Sequence, residues 1–326
     1  MRTGSQAAVC HPAAMRRIGT TDLSVFPLCL GSNIFGWTTD EQQSFAALDA
    51  YAAAGGNFID TADSYSSWVA GNSGGESETI IGRWMAARGN RDEMVIATKV
   101  GKLPGLEGTA PATIRRAAEG SLERLGTDRI DLYYAHTDDE DTPLEDTLAA
   151  FGELIREGKV RHIAASNFGA PRLAAALELA RANGLPEYVA VQPEYNLMDR
   201  GEYEGPLADL CLREGIGCIP YFGLAKGFLT GKYRVGGPEV DSQRAGSAQA
   251  YLDDRGVAVL AVLDEVAEGH GATVAAVALA WLAAQPTVVA PIASARTPEQ
   301  VADLVGVAEL ELTAGELQRL AQTAGA

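Results

Sequence analysis

A chain of 326 residues, 47% of them hydrophobic, is long enough for one large α/β barrel or two ordinary domains. Its formal charge of −17 argues against a duplex-binding surface, because phosphate recognition is driven by clustered Lys and Arg that release counterions. No uninterrupted apolar run approaches the ~20 residues needed to span a bilayer, so neither nucleic acid nor a membrane is an expected partner.

The first fourteen residues include Arg2 but no continuous apolar segment, and no signal peptide is read there. Met15 is a natural start, with residues 1–14 expected to be a disordered extension and residues 15–326 a single domain. Cys10, Cys29, Cys211 and Cys218 show no metal-ligand spacing. They are expected to be reduced thiols in a cytoplasmic protein, with no metal site.

From Arg16 to Val25, two apolar arms flank polar turn residues, which predicts a short hairpin at the floor of the fold. Apolar runs then predict strands near Phe26–Gly31, Asn57–Asp60, Val95–Lys99, Ile130–His136, Val160–Ser166, Val189–Pro193, Gly217–Tyr221 and Val288–Ile292. Between them, helical periodicity covers Glu41–Ala54, Ser77–Arg88, Ala112–Leu125, Leu144–Arg156, Pro171–Ala182 and Leu207–Glu214. Several of these helices end at glycines, as at Gly126 and Gly184, where a left-handed cap needs no side chain. The seventh and eighth strands are separated by a Gly-rich stretch from Leu224 to about Asp254, followed by helices near Val257–Glu268 and Thr273–Ala284. Long irregular segments in compact domains are usually lids or binding loops. Two more helices, near Pro298–Val305 and Thr313–Thr323, close the chain.

Strict alternation implies a parallel sheet, and eight strands imply an α/β fold of the (β/α)8 TIM barrel type, with an N-terminal hairpin floor and extra C-terminal helices. The competing open doubly wound sheet would carry a Gly-x-Gly-x-x-Gly turn after its first strand, and Gly31-Ser32-Asn33-Ile34-Phe35-Gly36 lacks it.

Polar residues at the ends of barrel strands read as catalytic, since the opposite face and the interior carry stability. Asp60, Tyr65, Lys99 and His136 lie at or just after the ends of three strands. A phenol with an ordinary pKa near ~10 is a poor acid at neutral pH, and an adjacent ammonium favours its ionised form. Lys99 is therefore expected to pull the Tyr65 pKa down, Asp60 to keep Lys99 charged, and His136 to orient a carbonyl oxygen or relay the proton.

The segments Phe58-Ile-Asp-Thr-Ala-Asp-Ser-Tyr65, Val95-Ile-Ala-Thr-Lys99 and Asp131-Leu-Tyr-Tyr-Ala-His136 resemble the aldo-keto reductase superfamily, which joins Asp, Tyr, Lys and His on an eight-stranded barrel. The likeness runs from about Met15 to Leu320. It includes Ala165-Ser-Asn-Phe168, Gln192-Pro-Glu-Tyr-Asn196, Gly227-Phe-Leu-Thr-Gly-Lys-Tyr233 and Pro291-Ile-Ala-Ser-Ala-Arg-Thr-Pro298, which are similar to its nicotinamide-cofactor blocks.

The resemblance implies that Ser166, Asn167 and Gln192 hydrogen-bond the nicotinamide carboxamide and that Tyr221 stacks on the ring. It places Phe222, Leu224 and Gly227 in a loop over the pyrophosphate, together with the basic group Lys226, Lys232, Arg234 and Arg244. Ser294, Arg296 and Gln300 are placed at the adenosine ribose, where an Arg suits a 2′-phosphate. NADPH is thereby favoured, with NADH as the alternative. Phe222-Gly223 replaces a common Ser-Pro, Leu304 a frequent Asn, and Thr137 a frequent Trp or Arg. Phe35, Trp37 and Trp68 are expected to wall the pocket of a small-molecule carbonyl substrate.

The implied function is NADP-dependent reduction of an aldehyde or ketone to an alcohol, by hydride transfer from nicotinamide C4 with Tyr65 as general acid. The alternative is a cofactor-binding regulatory subunit or redox sensor with little turnover. A barrel hydrolase or lyase using Asp60 and His136 lacks the metal-ligand cluster or nucleophile it would need.

Overall fold

The short apolar runs become eight parallel strands in the computed structural model, which describes residues 14–325. The strands are β1 Cys29–Gly31, β2 Phe58–Asp60, β3 Val95–Val100, β4 Ile130–Ala135, β5 Val160–Ser166, β6 Tyr188–Gln192, β7 Gly217–Cys218 and β8 Ile292–Ala293. They are ordered β7-β6-β5-β4-β3-β2-β1-β8. Backbone bonds close the circle between β7 and the approach to β8: Cys218 N donates to Thr287 O at 2.8 Å, Val289 N to Cys218 O at 2.8 Å and Ile292 N to Pro220 O at 2.9 Å. The fold is the expected (β/α)8 barrel. The expectation of a disordered segment over 1–14 falls, Ala14 apart, outside the described residues.

Three strand boundaries differ by three or more residues from those read in the sequence, and the others agree to within one. The first strand begins at Cys29 rather than Phe26, the seventh stops at Cys218 rather than Tyr221, and the eighth starts at Ile292 rather than Val288. Prolines account for the last two, because Pro220 and Pro291 have no N–H to donate to a ladder. A two-stranded hairpin, Lys102–Leu103 with Leu106–Glu107, extends β3 and was not anticipated. Its signal was the Pro104-Gly105 pair between two leucines.

Helices follow the strands: α1 Glu41–Ala53, α2 Glu76–Arg88, α3 Pro111–Leu125, α4 Leu144–Arg156, α5 Ala170–Asn183 and α6 Pro206–Glu214. After β7 come a 3₁₀ turn at Ala225–Thr230, the short α7 Ala245–Gln249, α8 Asp254–His270 and α9 Val274–Ala283, and after β8 come α10 Pro298–Val305 and α11 Ala314–Ala324. Gly126 and Gly184 cap α3 and α5 in the left-handed conformation, as expected. No single helix among the described residues is long and apolar enough to cross a membrane.

The N-terminal hairpin, Arg16–Arg17 paired with Ser24–Val25, lies across the barrel floor. Ile18, Leu23 and Val25 enter the barrel interior and pack with Phe58, Val95, Leu132 and Ile219. Gly19 turns there at φ +51, where a Cβ would meet Val189 O at 2.7 Å, so only glycine fits.

Near the same floor Asp131, with a side chain only 1% exposed, accepts from Arg91 Nη2 and Arg161 Nη1 at 2.8 Å and from Ile96 N at 2.9 Å. Asp131→Ala removes the acceptor shared by two arginines and a buried amide. It is expected to cost about 3 kcal/mol, because a partly buried Arg91 loses its counter-charge. Urea unfolding with an unchanged m value measures this; a loss below ~1 kcal/mol would show the arginines re-paired elsewhere.

Candidate active site

Strand geometry delivers three of the four expected groups. β2 ends on Asp60, β3 carries Lys99 as its penultimate residue, and β4 ends immediately before His136. Lys99 Nζ donates to Asp60 Oδ2 at 2.7 Å, to Thr61 O at 2.7 Å and to Tyr65 Oη at 2.8 Å. Tyr65 Oη also lies 3.0 Å from Asp60 Oδ2, to which it donates, so phenol, ammonium and carboxylate form a closed triangle. The second Asp60 oxygen accepts from Gln192 Nε2 at 2.8 Å. The ammonium is fully buried, and an ion at that depth persists only because its donors are all used.

Tyr65 comes from the β2–α2 loop rather than a strand, and the loop is bent to aim it. Ser66 adopts φ +70, unusual for a residue with a Cβ. Its hydroxyl donates to Phe35 O at 2.8 Å and holds the bend. The imidazole of His136 stands 6.2 Å from the Tyr65 ring at 72°. Its Nδ1 is buried without a partner among the described residues.

The electrostatics correct one expectation. Burial, then the Asp60 carboxylate, push the Tyr65 phenol well above its ordinary range. Lys99 does not bring it down, because the ion pair with Asp60 offsets its field at the phenol and burial disfavours any phenolate. Burial likewise lowers Lys99, against the opposing pull of Asp60. His136 is held neutral by burial, then by the Lys99 and Lys102 cations.

A second polar chain runs along the ends of β4 to β7. Asn167, at φ +61, donates from Nδ2 to His136 O at 2.9 Å and to Ser166 Oγ at 3.1 Å. Its Oδ1 accepts from Tyr221 Oη at 2.9 Å, and Ser166 Oγ donates to Gln192 O at 3.0 Å. These bonds fix the plane of the half-exposed Tyr221 ring.

Both chains face a cavity of about 620 Å³ that runs from Tyr65 and His136, past Tyr221 and Phe222, to Ser294, Arg296 and Gln300. Asp60, Ser166, Asn167, Gln192, Leu224, Gly227, Lys232 and Trp37 also line it. Lys232 is lowered by burial and by its neighbour Arg296, so these two cations converge at the far end. Ser294 Oγ donates to Asn33 Oδ1 at 3.1 Å.

Three expected site residues lie elsewhere. Phe35 is fully buried and packs in the core around α1 and α2, since an apolar ring left by a tight turn gains most by leaving water. Trp68 is 52% exposed and stands edge-on to Trp37 at 5.6 Å, outside the lining. Arg234 is gripped by both Asp264 oxygens at 2.7 Å and braces the loop against α8 instead of facing the cavity. Lys226 lines the cavity but is engaged by Glu194 at 3.1 Å and Tyr251 Oη at 3.2 Å.

Sequence reading did not assign Gly31 and Lys102 to the lining, and it placed Arg244 only within a basic loop group. Gly31 was legible as the residue ending the first strand. A Cβ there would meet Ile292 Cγ2 at 2.7 Å and Ser294 Oγ at 3.0 Å.

Comparison with known proteins assigns this barrel to a family. A sequence model of the Aldo/keto reductase family matches residues 27–324, and the chain belongs to that family. Norsolorinic acid reductase stcV of Emericella nidulans is 33% identical over 325 residues, 92% of this chain and 79% of the relative. The uncharacterized oxidoreductase YrpG of Bacillus subtilis is 35% identical over 304 residues, covering 90% and 91%. Aryl-alcohol dehydrogenase GME11368 of Pestalotiopsis microspora is 31% identical over 317 residues, covering 92% and 79%. The protein is an NAD(P)H-dependent oxidoreductase.

Proposed function

We propose that the protein reduces an aldehyde or ketone to an alcohol with NADPH, and that Tyr65 supplies the proton. The observation that carries this reading is the closed triangle of Lys99, Tyr65 and Asp60 opening onto a long cavity. A bound reduced nicotinamide supplies the hydride.

The lining fits such a group. The amides of Asn167 and Gln192 and the hydroxyl of Ser166 provide donors and acceptors suited to a carboxamide, and Tyr221 offers a tethered ring face. Among the lining residues, Phe222, Leu224 and Gly227 would lie over a pyrophosphate, and Lys232, Ser294, Arg296 and Gln300 would take the adenosine end.

For proton transfer the Tyr65 hydroxyl turns about its C–O bond from Asp60 toward the substrate oxygen. Lys99 keeps donating to the phenol oxygen and stabilises the phenolate that forms, while Asp60 balances Lys99. The neutral His136 ring donates a second hydrogen bond to the carbonyl oxygen, which sets the substrate's orientation. The raised pKa keeps the phenol protonated, and hence loaded, throughout the neutral range.

Arg296 and Lys232 have no acid partner among the described residues, which favours the extra charge of a 2′-phosphate. Arg296→Ala is expected to raise the NADPH Michaelis constant about 10- to 100-fold and to change the NADH constant far less. An equal rise for both cofactors would remove the 2′-phosphate contact. The function itself is tested by mixing the protein with NADPH and a panel of aldehydes and ketones and following loss of the reduced cofactor. Tight NADPH binding with no consumption by any carbonyl would replace the enzyme by a cofactor-sensing subunit.

A further inference from the structure

We infer that Thr61 and Ser77 are positioning residues for the Lys99–Tyr65 pair: a ring of buried hydroxyls anchored on α2 fixes the Thr61 carbonyl, and that carbonyl aims the Lys99 ammonium at the Tyr65 oxygen. The inference rests on the proposed proton transfer from Tyr65 and names what holds its geometry.

An ammonium carries three N–H donors and accepts nothing. Those of Lys99 go to Asp60 Oδ2 at 2.7 Å, Thr61 O at 2.7 Å and Tyr65 Oη at 2.8 Å. Rotation about the Cε–Nζ bond is the one freedom left to the group, so the acceptors at two of its hydrogens set the direction of the third. Asp60 is steadied by Gln192 Nε2 at 2.8 Å. The remaining acceptor, the Thr61 carbonyl, is steadied by the hydroxyl ring.

Thr61 Oγ1 donates to Ser77 Oγ at 2.9 Å. Ser77 Oγ donates to Ser32 Oγ at 2.7 Å, with Ser32 O at 3.0 Å sharing the hydrogen. Ser32 Oγ donates to Asp60 O at 2.7 Å, and Ser32 N donates to the same oxygen at 3.0 Å. That oxygen belongs to the peptide unit whose N–H is supplied by Thr61 and donates to Ala97 O at 2.8 Å. The ring therefore leaves Thr61 through its side chain and returns through its backbone. With nitrogen and side chain both tied, the tetrahedral Cα of Thr61 leaves its carbonyl carbon a single position.

Ser32, Thr61 and Ser77 are all fully buried, so a hydroxyl that loses its partner here has no water to turn to. Each hydroxyl both donates and accepts around the ring, which strengthens every bond in it. Ser77 spends its hydroxyl on Thr61 and Ser32 rather than on its own helix. Its neighbour Glu78 reaches the other side of the lysine, accepting from Thr98 Oγ1 at 2.5 Å. Two adjacent residues in the first turn of α2 thus hold Thr61, which Lys99 touches, and Thr98, which precedes it in β3.

The test deletes one hydroxyl at a time. Ser77→Ala and Thr61→Val are each expected to lower kcat for an aldehyde that the wild type reduces with NADPH by about 5- to 50-fold. Michaelis constants for aldehyde and cofactor are expected to stay within about two-fold of wild type. Thr61→Ser, which keeps the hydroxyl and drops a methyl, is expected to retain most of kcat. The decisive measurement adds Ser77→Ala to Tyr65→Phe. With no phenol oxygen left to aim at, the second substitution is expected to change the residual kcat by less than about two-fold.

A loss in the Tyr65→Phe background equal to that in the wild type overturns the inference, because the hydroxyls would then support the fold alone. Unchanged kcat in Ser77→Ala and Thr61→Val overturns it as well. If Ser77→Ala does not fold, Thr61→Val and Thr61→Ser decide between themselves, and equal kcat in the two counts against the ring. Loss of turnover in Tyr65→Phe without loss in the hydroxyl variants leaves the proposed reaction standing and removes only this role. A wild-type protein that binds NADPH and reduces no carbonyl removes both.

Discussion

Tyr65→Phe is expected to lower kcat for carbonyl reduction by about 10²–10⁴-fold, the usual worth of a positioned proton donor, with NADPH binding close to that of the parent. The substitution removes one oxygen and leaves the ring's neighbours in place. Trp68 and His136 still meet the ring edge at centroid distances of 6.4 and 6.2 Å. Lys99 keeps Asp60 and the Thr61 carbonyl as acceptors, so the buried ammonium remains paired. The loss therefore reads the chemistry, not the fold. Steady-state kinetics together with a cofactor titration measure it, and turnover comparable to wild type would assign the proton to another group, Lys99 or His136.

Asp63→Asn is expected to stabilise the protein at neutral and alkaline pH by an amount that grows from pH 4 to about 8. Asp63 lies in the same strand-end motif as Asp60 and Tyr65, yet both its oxygens are buried without a partner among the described residues. Burial, then the neighbouring Glu78 carboxylate, push its pKa from 3.8 to about 8.

The native state therefore holds a proton that the unfolded chain releases near pH 4. Stability from this group is complete below the unfolded pKa and is lost as pH rises through the folded one. About four units at ~1.4 kcal/mol each set an upper bound of roughly 6 kcal/mol by pH 8. An amide of the same shape does not titrate, so the variant escapes the loss. Denaturant unfolding at several pH values gives the difference directly, and a gap that stays constant or narrows with rising pH would show that Asp63 is ionised in the native protein.

Both predictions concern one loop, and they show how closely reactivity and stability are interleaved there. Asp60, Asp63 and Tyr65 are within six residues of one another, but their surroundings diverge. Asp60 receives bonds from Lys99, Tyr65 and Gln192, whereas Asp63 faces Glu78 and the unpartnered phenol of Tyr133. A buried carboxyl denied donors keeps its proton, as Asp63 does.

The sequence by itself determined the alternation of strands and helices, the eightfold barrel and the positions of Asp60, Lys99 and His136 at strand ends. Those features depend on side-chain periodicity and on backbone bonding between neighbouring elements, both written locally in the chain. Tertiary structure alone decided that Phe35 enters the core, that Arg234 is captured by Asp264 thirty residues away and that Arg244 stands open between Trp37 and Phe222. It also decided the direction of the Tyr65 pKa shift, because burial and then the Asp60 carboxylate push the phenol up despite the neighbouring lysine. Which charge meets which depends on side chains brought together across the barrel mouth, and the energy of each pairing depends on the depth at which they meet.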